Sequence, residues 1–461
     1  MSEIVGPYKT LTTADGLEIP WYVMPFDKRG RCKAPRTRQH LLDALSTGGY
    51  THVFLFSHGW NNDWSDASER YEEFVTGFAD LRQSMDLPNP PEYRPLLVGV
   101  FWPSTSLVLP WERGPRFAGG DGSEDGAADE AFAADFDQSL DELAEGLSDA
   151  DHARFYELAG ADELDADGVR ELARLLAPAM EGEGGAEAGA DGAGDDAAAD
   201  WAEAWLAGAR LMALRDGGDD DDEDEDDFGT STPTAGGDGP EAAGLLDALD
   251  PRVPIRLATV WKMKDRAGLI GAHGVHPLLR DVLGACDASL HLVGHSYGCK
   301  VMLSAVAYGD LPRTVTSALL LQPAFSHRAF AVDADGKGNP GGYRVALPRI
   351  EQPVVATFSA KDFALAKTFH LAVRRKSDLG EQRIAGTAPS RFAALGGYGP
   401  GGMANGEDRT IDIKDPGEPY DELGADGLEV LALHATRRIK GHGDIVQPVT
   451  FWALFEQVRR G

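Results

Sequence analysis

The strongest chemical signal in this 461-residue chain lies at residues 292–298, where the sequence reads LVGHSYG. An apolar strand pattern ends there in G-x-S-x-G and passes directly into the apolar helical pattern of Lys300–Tyr308. A serine in such a turn has a strained backbone and projects its hydroxyl above the sheet. The dipole of the following helix favours negative charge that develops beside the serine. The pattern therefore predicts a nucleophilic Ser296, with a purely structural turn as the alternative.

A second pattern, VFLFSHGWNN at residues 53–62, could supply hydrogen-bond donors for acyl transfer. The oxyanion of a tetrahedral intermediate needs two donors that are fixed in place before the reaction. We expect one from the amide of Tyr297, next to the serine, and the other from the amide of Trp60. Gly59 would let the backbone approach the substrate, and the alternative is a plain turn with a buried His58. The residues expected to support the two loops are His58, Gly59, Asn61, Gly294, His295 and Gly298.

A serine hydroxyl is a poor nucleophile near neutral pH, so it needs a general base, and the base needs a carboxylate that orients it. In the chain order that goes with this nucleophile turn, the acid follows the serine and the histidine comes last. Asp362 stands 66 residues after Ser296, just beyond the apolar strand pattern of Val354–Phe358. We therefore predict that Asp362 is the orienting acid.

Several histidines follow the serine, and one of them is placed as a base should be. His442 lies in the glycine-flanked segment GHGD before a last helical pattern from about Pro448 to Val458, so we predict that it is the base. His434 ends an apolar run and His370 lies on a helical pattern, so both are expected to be structural. Asp444 is too close to His442 along the chain to orient it, although it could anchor the loop.

The sequence predicts that a mostly parallel sheet positions these groups. Residues 7–25 predict a hairpin with its turn at Asp15-Gly16, and a helix is predicted from about Ser65 to Met85. Runs that are apolar throughout alternate with helical patterns, which is typical of an α/β sheet covered on both faces by helices. The runs that predict strands are His52–Phe56, Leu96–Phe101, Ser289–Val293, Ser317–Leu321, Val354–Phe358 and Leu428–Leu433.

The negative charge of the chain is concentrated in one segment. The chain has 75 acidic and 43 basic residues, a formal net charge of −32. Residues 121–250 hold 40 of the acids against five arginines and no lysine, so the other 331 residues carry a net charge of +3. Nucleic-acid binding is disfavoured, because no basic stripe accompanies the acidic segment and phosphates would be repelled.

The acidic segment is predicted to be an insertion, residues 116–251, in a core formed by 1–115 and 252–461. Its stretches 182–199 and 216–243 have low complexity and cannot bury enough apolar area to fold, which predicts flexible linkers. Helical spacing of apolar residues predicts short helices elsewhere, so the insertion is expected to be partly helical and partly disordered. It could serve as a lid, as an arm that binds a protein partner, or as a tether. The apolar residues are Phe132, Phe136, Leu140, Leu143, Leu147, Phe155, Leu158, Leu172, Leu175, Leu176, Trp201 and Trp205.

No metal site is predicted. Asp165, Asp167 and Gly168 resemble the start of a calcium loop, but its twelfth position, which requires a bidentate Glu, holds Arg174. The run Asp219–Asp227 is better explained as a solvated anionic tether. The chain has three cysteines and no CxxC spacing, which argues against zinc and against a disulfide framework.

The same features suggest where the protein resides. A sparse, odd set of cysteines fits a reducing compartment. Met1–Thr10 is polar and lacks an apolar signal-peptide core, and no apolar run reaches the 18 or so residues that a membrane-spanning helix needs. The sequence therefore predicts a cytoplasmic protein with no membrane span.

Taken together, the motifs resemble the α/β-hydrolase fold superfamily, in its esterase/lipase-like branch. The resemblance covers about 330 residues, which is everything except the insertion. It also extends to a little-characterised group of prokaryotic hydrolases of this fold. The stretches that carry it are HGWNND (58–63), WKMKDRAG (261–268), GHSYG (294–298), FSAKD (358–362) and GHGDI (441–445).

The resemblance implies an α/β-hydrolase fold in which Ser296, Asp362 and His442 are nucleophile, acid and base, and no metal or organic cofactor is needed. We therefore expect a serine hydrolase that cleaves a small-molecule carboxylic ester through an acyl-enzyme. A thioesterase or an amidase would look the same at this level. The alternative from another class is a non-catalytic binding module on the same fold, which would use the acidic insertion for its interactions.

Overall fold

A computed structural model describes residues 5–13, 16–59, 64–85, 93–104, 140–141, 143–144, 147–161, 163–180, 202, 206, 251–362, 365 and 393–461. The strands are β1 (Lys9–Thr12), β2 (Glu18–Pro25), β3 (His52–Ser57), β4 (Pro95–Phe101), β5 (Ser289–His295), β6 (Ser317–Leu321), β7 (Val354–Phe358), β8 (Asp408–Asp412) and β9 (Val430–His434). The α-helices are α1 (Pro35–Gly48), α2 (Trp64–Ser84), α3 (Asp149–Ala159), α4 (Ala166–Met180), α5 (Arg252–Ile270), α6 (His276–Ala285), α7 (Tyr297–Ala307), α8 (Leu395–Tyr398) and α9 (Pro448–Val458). A π-helical turn, Gly271–Val275, joins α5 to α6.

The strands in the described part of the chain form one sheet, in the order β1-β2-β4-β3-β5-β6-β7-β9-β8. β1 and β2 pair antiparallel, which confirms the predicted hairpin. The other neighbouring pairs among the described strands are parallel, which confirms the predicted α/β class with a mostly parallel sheet. Because parallel strands end at the same edge of a sheet, the loops after β3, β5, β6, β7 and β9 emerge side by side.

Apolar side chains are buried on both faces of the sheet. Successive residues of a strand point to opposite faces. In β3, Val53 and Leu55 belong to one buried cluster, whereas Phe54 and Phe56 belong to another. The first cluster includes residues of α1, α5, α6 and α7, and the second includes residues of α2 and α9. Burial on both faces explains why apolar residues follow one another in this strand without the alternation of a half-exposed strand.

The described part of the insertion forms a third buried cluster. α3 contributes Phe155 and Leu158 to it, and α4 contributes Leu172, Leu175 and Leu176, which confirms the helices predicted for these residues. Residues Leu140 and Leu143 are buried in the same cluster. The two predicted linkers, together with Phe132, Phe136, Trp201 and Trp205, lie outside the described residues.

The third cluster does not stop at the predicted boundary of the insertion. Ile255 and Ala258, near the start of α5, are fully buried in it. Further along the same helix, Gly268 faces α7, since a Cβ there would lie 3.1 Å from the Cε of Lys300. One continuous helix therefore contacts both the insertion and the helix that follows Ser296.

Two elements differ from the sequence-based expectation. The sequence does not predict β8, because this edge strand has exposed and half-buried residues and no apolar run. α7 begins at Tyr297, earlier than the expected Lys300, because the residues directly after Ser296 already belong to the helix. Within the described residues, no helix is both long and apolar enough to cross a membrane.

Candidate active site

Ser296 occupies a sharp turn between β5 and α7, at the edge where the parallel strands end. Its φ of 53° and ψ of −123° are rare for a residue with a side chain. Backbone hydrogen bonds hold this conformation: the Ser296 N–H donates to the carbonyl of Leu321 at 3.0 Å, and the Ser296 carbonyl accepts from the amides of Cys299 and Ala324. Such strain persists only where the surrounding structure imposes it. The turn predicted at residues 294–298 is thus present.

Glycines allow this turn because a side chain would not fit at their positions. A Cβ on Gly298 would overlap the carbonyl oxygens at the end of β3, and one on Gly294 would lie 2.6 Å from the Cα of Cys299. Gly59 is equally confined, because a Cβ there would lie 2.9 Å from the Cβ of Ser296. The three glycines therefore bring the loop after β3 into direct contact with the Ser296 turn.

We expect Gly298→Ala to lower the free energy of unfolding by about 3 kcal/mol or more, because the backbone of β3 or α7 must move to admit the methyl group. Gly284→Ala is the matched control. Gly284 lies in α6 with no heavy atom within 4 Å of an added Cβ, so alanine should stabilise the helix there by about 0.5–1 kcal/mol. Urea denaturation of both variants measures the difference, and a Gly298→Ala protein as stable as the wild type would contradict the expectation.

Three side chains form a continuous chain of hydrogen bonds at this edge of the sheet. The Nε2 of His442 lies 2.8 Å from the Oγ of Ser296, and its Nδ1 lies 2.8 Å from the Oδ2 of Asp362. An ionised carboxylate can only accept, so Nδ1 carries the proton and Nε2 accepts from the serine hydroxyl. Asp362 is fully buried, whereas the His442 side chain is 20% exposed. The structure thus brings together the three residues that the sequence singles out, from the loops after β5, β7 and β9.

The loop that carries His442 is tied to the loop after β7. The Oγ of Ser359 donates to the carbonyl of Ile439 at 2.8 Å. Asp444 holds the loop from within, since its Oδ2 accepts from the amide of Lys440 at 3.0 Å and its Oδ1 accepts from the side chain of Gln447. This is the anchoring contact expected of Asp444.

His295, the residue before the serine, holds the same loop through a second contact. Its Nε2–H donates to the backbone carbonyl of His442 at 2.8 Å, and the two rings lie 5.0 Å apart. Burial, reinforced by the neighbouring His442 and Arg70 side chains, holds the pKa of His295 well below its ordinary value. A neutral His295 therefore serves as a fixed donor beside the site.

His58 fixes the backbone of the loop after β3. Its Nδ1–H donates to the carbonyl of Gly59 at 2.8 Å, and its Nε2 accepts from the amide of Trp102 at 3.2 Å. The Trp102 ring stacks on it and is itself fully buried in the core. Burial lowers the pKa of His58 to about 4, so the ring is neutral at pH 7. His58 is the buried residue that the plain-turn alternative anticipates, and it also holds the loop against Ser296.

The other residues considered from the sequence are Tyr297, Trp60, Asn61, His370 and His434. Tyr297 is the first residue of α7, where backbone amides face out of the N-terminal end of the helix. Trp60, Asn61 and His370 lie outside the described residues. His434 ends β9, and its side chain contacts those of Phe358 in β7 and Asp412 in β8, the two neighbouring strands, and not Ser296.

The acidic motif at the start of α4 caps that helix. The Oδ1 of Asp165 accepts from the amide of Gly168 at 2.8 Å, which satisfies one of the amides that lack a partner at a helix N-terminus. This explains the Asp165 pattern without a cation. The run Asp219–Asp227 lies outside the described residues.

Sequence reasoning misses two buried polar residues of the site, Gln322 and Thr357. Gln322 directly follows β6, and its side-chain amide donates to Asp362 at 3.0 Å. Thr357 lies in β7 and hydrogen-bonds to Gln322. A signal was available for Gln322, since a polar residue directly after a buried parallel strand lies at the edge where such sheets bind ligands.

The arrangement can perform acid–base chemistry at an alcohol. His442 can take the proton of Ser296, the carboxylate of Asp362 can stabilise the resulting imidazolium, and the N-terminus of α7 can favour an anion beside the serine. Comparison of the chain with protein-family models, with curated proteins and with solved structures finds no match in any of the three. The geometry of the site is therefore the basis on which a function can be proposed.

Proposed function

We propose that the protein is a serine hydrolase with an α/β-hydrolase fold, and that it cleaves carboxylic esters through an acyl-enzyme. The single observation that carries the proposal is the unbroken hydrogen-bond chain from the Oγ of Ser296 through His442 to the buried Asp362. Two contacts of 2.8 Å join a hydroxyl, an imidazole and a carboxylate, which is the order nucleophile, base and orienting acid. The order of these residues along the chain and the strained turn of Ser296 add support.

The first half of the reaction acylates the serine. The Oγ of Ser296 attacks the ester carbonyl while the Nε2 of His442 removes the hydroxyl proton. Asp362 keeps the Nδ1 proton in place and stabilises the imidazolium that forms. The tetrahedral intermediate then collapses, the C–O bond to the alcohol breaks, and His442 returns the proton to the leaving oxygen.

The negative oxygen of the intermediate needs two donors. We assign these to the backbone amides of Tyr297 and Trp60. Tyr297 directly follows Ser296 and is the first residue of α7, so its amide belongs to the helix N-terminus, where N–H groups lack partners within the helix.

The second half of the reaction repeats the first with water. His442 removes a proton from a water molecule, which attacks the acyl carbonyl, and the proton then returns to Ser296 as the carboxylic acid leaves. Each step uses only groups of this chain and water. A thioester or an amide could be cleaved by the same steps, so the leaving group decides between these substrate classes.

A fluorophosphonate probe tests the proposal. An activated serine attacks its phosphorus, the P–F bond breaks and fluoride leaves, and a stable phosphonyl-enzyme remains. We expect rapid labelling of the wild type and none of Ser296→Ala. Ser304→Ala is the matched control: Ser304 is buried on the same helix but bonds to Tyr343, outside the hydrogen-bond chain of the site, so labelling should persist.

The outcomes of this experiment separate the two classes of function. Absence of Ser296-dependent labelling would favour a non-catalytic binding module. With Ser296-dependent labelling, hydrolysis of p-nitrophenyl esters from short to long chains would identify ester cleavage and measure the length of acyl chain accepted. Turnover of matched thioesters or anilides in preference to the esters would reassign the substrate class.

A further inference from the structure

The carboxylate of Asp362 is fully buried and receives three hydrogen bonds from described residues. Its Oδ1 accepts from the amide of Leu365 at 3.0 Å. Its Oδ2 accepts from the Nδ1 of His442 at 2.8 Å and from the Nε2 of Gln322 at 3.0 Å. Gln322 therefore shares with His442 the one oxygen that faces the imidazole. A buried anion is stable only when such donors replace the water that it has lost.

The orientation of the Gln322 amide is fixed by chemistry. The two ends of a glutamine amide look alike by shape, so their assignment depends on their partners. The Oγ1 of Thr357 accepts from the backbone N–H of Gln322 at 3.0 Å and donates its hydroxyl proton to the Oε1 of Gln322 at 3.0 Å. The carboxylate of Asp362 can accept but not donate. The amide nitrogen must therefore face Asp362, and the amide oxygen must face Thr357.

The backbone of Gln322 is also unusual. Its φ is 46°, and in the described part of the chain Ser296 is the other non-glycine residue with a positive φ. Non-glycine residues adopt this conformation rarely, and it persists where the surroundings impose it. The conformation occurs directly after β6, between the strands that carry Ser296 and Asp362. It directs the buried side chain of Gln322 toward the carboxylate.

We propose that Gln322, with its amide held by Thr357, is a positioning residue for the Asp362–His442 pair. This inference rests on the proposed hydrolase function. The Nε2–H of Gln322 holds the Oδ2 of Asp362 where it meets the Nδ1–H of His442. The imidazole is thereby kept in the orientation that points its bare Nε2 at Ser296. Gln322 touches neither substrate nor reacting atoms, and it acts through the carboxylate.

A purely structural role would have a different signature. Gln322 also bridges β6 and β7 through Thr357, and loss of that bridge alone would lower stability without changing the turnover of the folded protein. Misplacement of the base would instead lower kcat and leave KM nearly unchanged, because ground-state binding of the ester does not involve His442. The two roles are separated by kcat, KM and stability measured on the same variants.

Gln322→Met keeps the length of the side chain and removes the donor. We expect it to lower kcat for p-nitrophenyl butyrate by about 10–100-fold, with KM changed by about twofold or less, since small misplacements of catalytic groups cost this much. The rate of labelling by a fluorophosphonate should fall in parallel. Proton NMR gives a readout outside activity: the far-downfield resonance of the His442 Nδ1–H should broaden or shift.

Thr357 provides the matched pair of variants and keeps the test decisive if Gln322→Met fails to fold. Thr357→Val removes the hydroxyl that orients the amide, and should lower kcat by about 3–10-fold, whereas Thr357→Ser keeps the hydroxyl and should stay within about twofold of the wild type. Because Thr357 acts through Gln322, the double variant Gln322→Met/Thr357→Val should be no slower than Gln322→Met alone.

Each outcome decides the proposal. Folded Gln322→Met with wild-type kcat and labelling rate would overturn it, and so would equal kcat values for Thr357→Val and Thr357→Ser. If the fold-losses in kcat of Gln322→Met and Thr357→Val multiply in the double variant, Thr357 does not act through Gln322, and that part of the proposal is overturned. Absence of Ser296-dependent labelling in the wild type would instead defeat the hydrolase function itself, and the role of Gln322 would fall with it.

Discussion

His442→Ala is expected to lower kcat for p-nitrophenyl butyrate by about 10⁴–10⁶-fold, because Ser296 then has no group to take its proton. The geometry gives no substitute: in the described residues the Oγ of Ser296 has His442 as its side-chain partner. KM should change little, since the imidazole acts in the transition state. Steady-state kinetics on purified protein, with a circular-dichroism check of folding, measures the effect.

A second histidine at the same sheet edge provides the control. His434 ends β9 with its side chain 41% exposed and paired with Asp412, so His434→Ala should keep kcat within about twofold.

Asp362→Asn should lower kcat by about 10⁴-fold, because an amide in place of the carboxylate no longer holds the reactive tautomer of His442. The double variant Ser296→Ala/His442→Ala should be no slower than either single variant. Activity of His442→Ala near that of the wild type would contradict the role of His442 as the base.

The second large effect concerns stability in acid. Several described histidines have pKa values lowered mainly by burial, to about 4 for His52, His58 and His327, to about 3 for His291, and to well below the ordinary value for His295. In the unfolded chain all of them titrate near 6.5. Between about pH 6.5 and pH 4 the unfolded state therefore binds more protons than the native state, and stability falls as the pH falls.

The size of this loss follows from the most deeply buried members. Each histidine that stays neutral in the native state makes the free energy of unfolding fall by about 1.4 kcal/mol for each pH unit below pH 6. His58, His291 and His295 are each at most 2% exposed, and together they predict a loss of about 4 kcal/mol between pH 6 and pH 5. Above about pH 7.5 their contribution is constant, because the histidines are then neutral in the unfolded chain as well. Urea denaturation at pH 7.5, 6 and 5 measures the curve.

Two glutamine variants make this prediction specific. His291→Gln should reduce the slope by about 1.4 kcal/mol per pH unit, because one proton fewer is taken up on unfolding. Thr47→Gln, at an exposed position of α1 without a titratable side chain, should leave the slope unchanged. A free energy of unfolding that stays flat from pH 7.5 to pH 5 would contradict the prediction.

Much of the site could be predicted from local sequence, because its residues stand at strand ends. Ser296 and Asp362 each follow an apolar run closely, and in a parallel sheet such runs end at one edge. His442 lies eight residues beyond β9, yet its glycine-flanked place before the last helix distinguishes it from His434. The mostly parallel sheet was predictable for the same reason, since burial on both faces leaves runs without alternation.

Other parts depend on contacts that local patterns do not encode. β8 is an exposed edge strand whose place follows from its pairing with β9 and not from its own residues. Gln322 is a single polar residue, and its partners Thr357 and Asp362 come from the next strand and the loop beyond it. The donors that reach each oxygen of the Asp362 carboxylate are set by the three-dimensional placement of residues far apart in the sequence. The catalytic roles of these residues remain predictions.

The contacts of α5 bear on the design of any deletion variant of this protein. A cut at residues 121–250, suggested by charge alone, would remove most of the partners of Ile255 and Ala258 and leave two buried positions facing water. The same helix also borders α7, so fraying at its start would propagate toward the segment that presents Ser296. A shortened chain would therefore need polar replacements at residues 255 and 258 before its behaviour could be compared with that of the full-length protein.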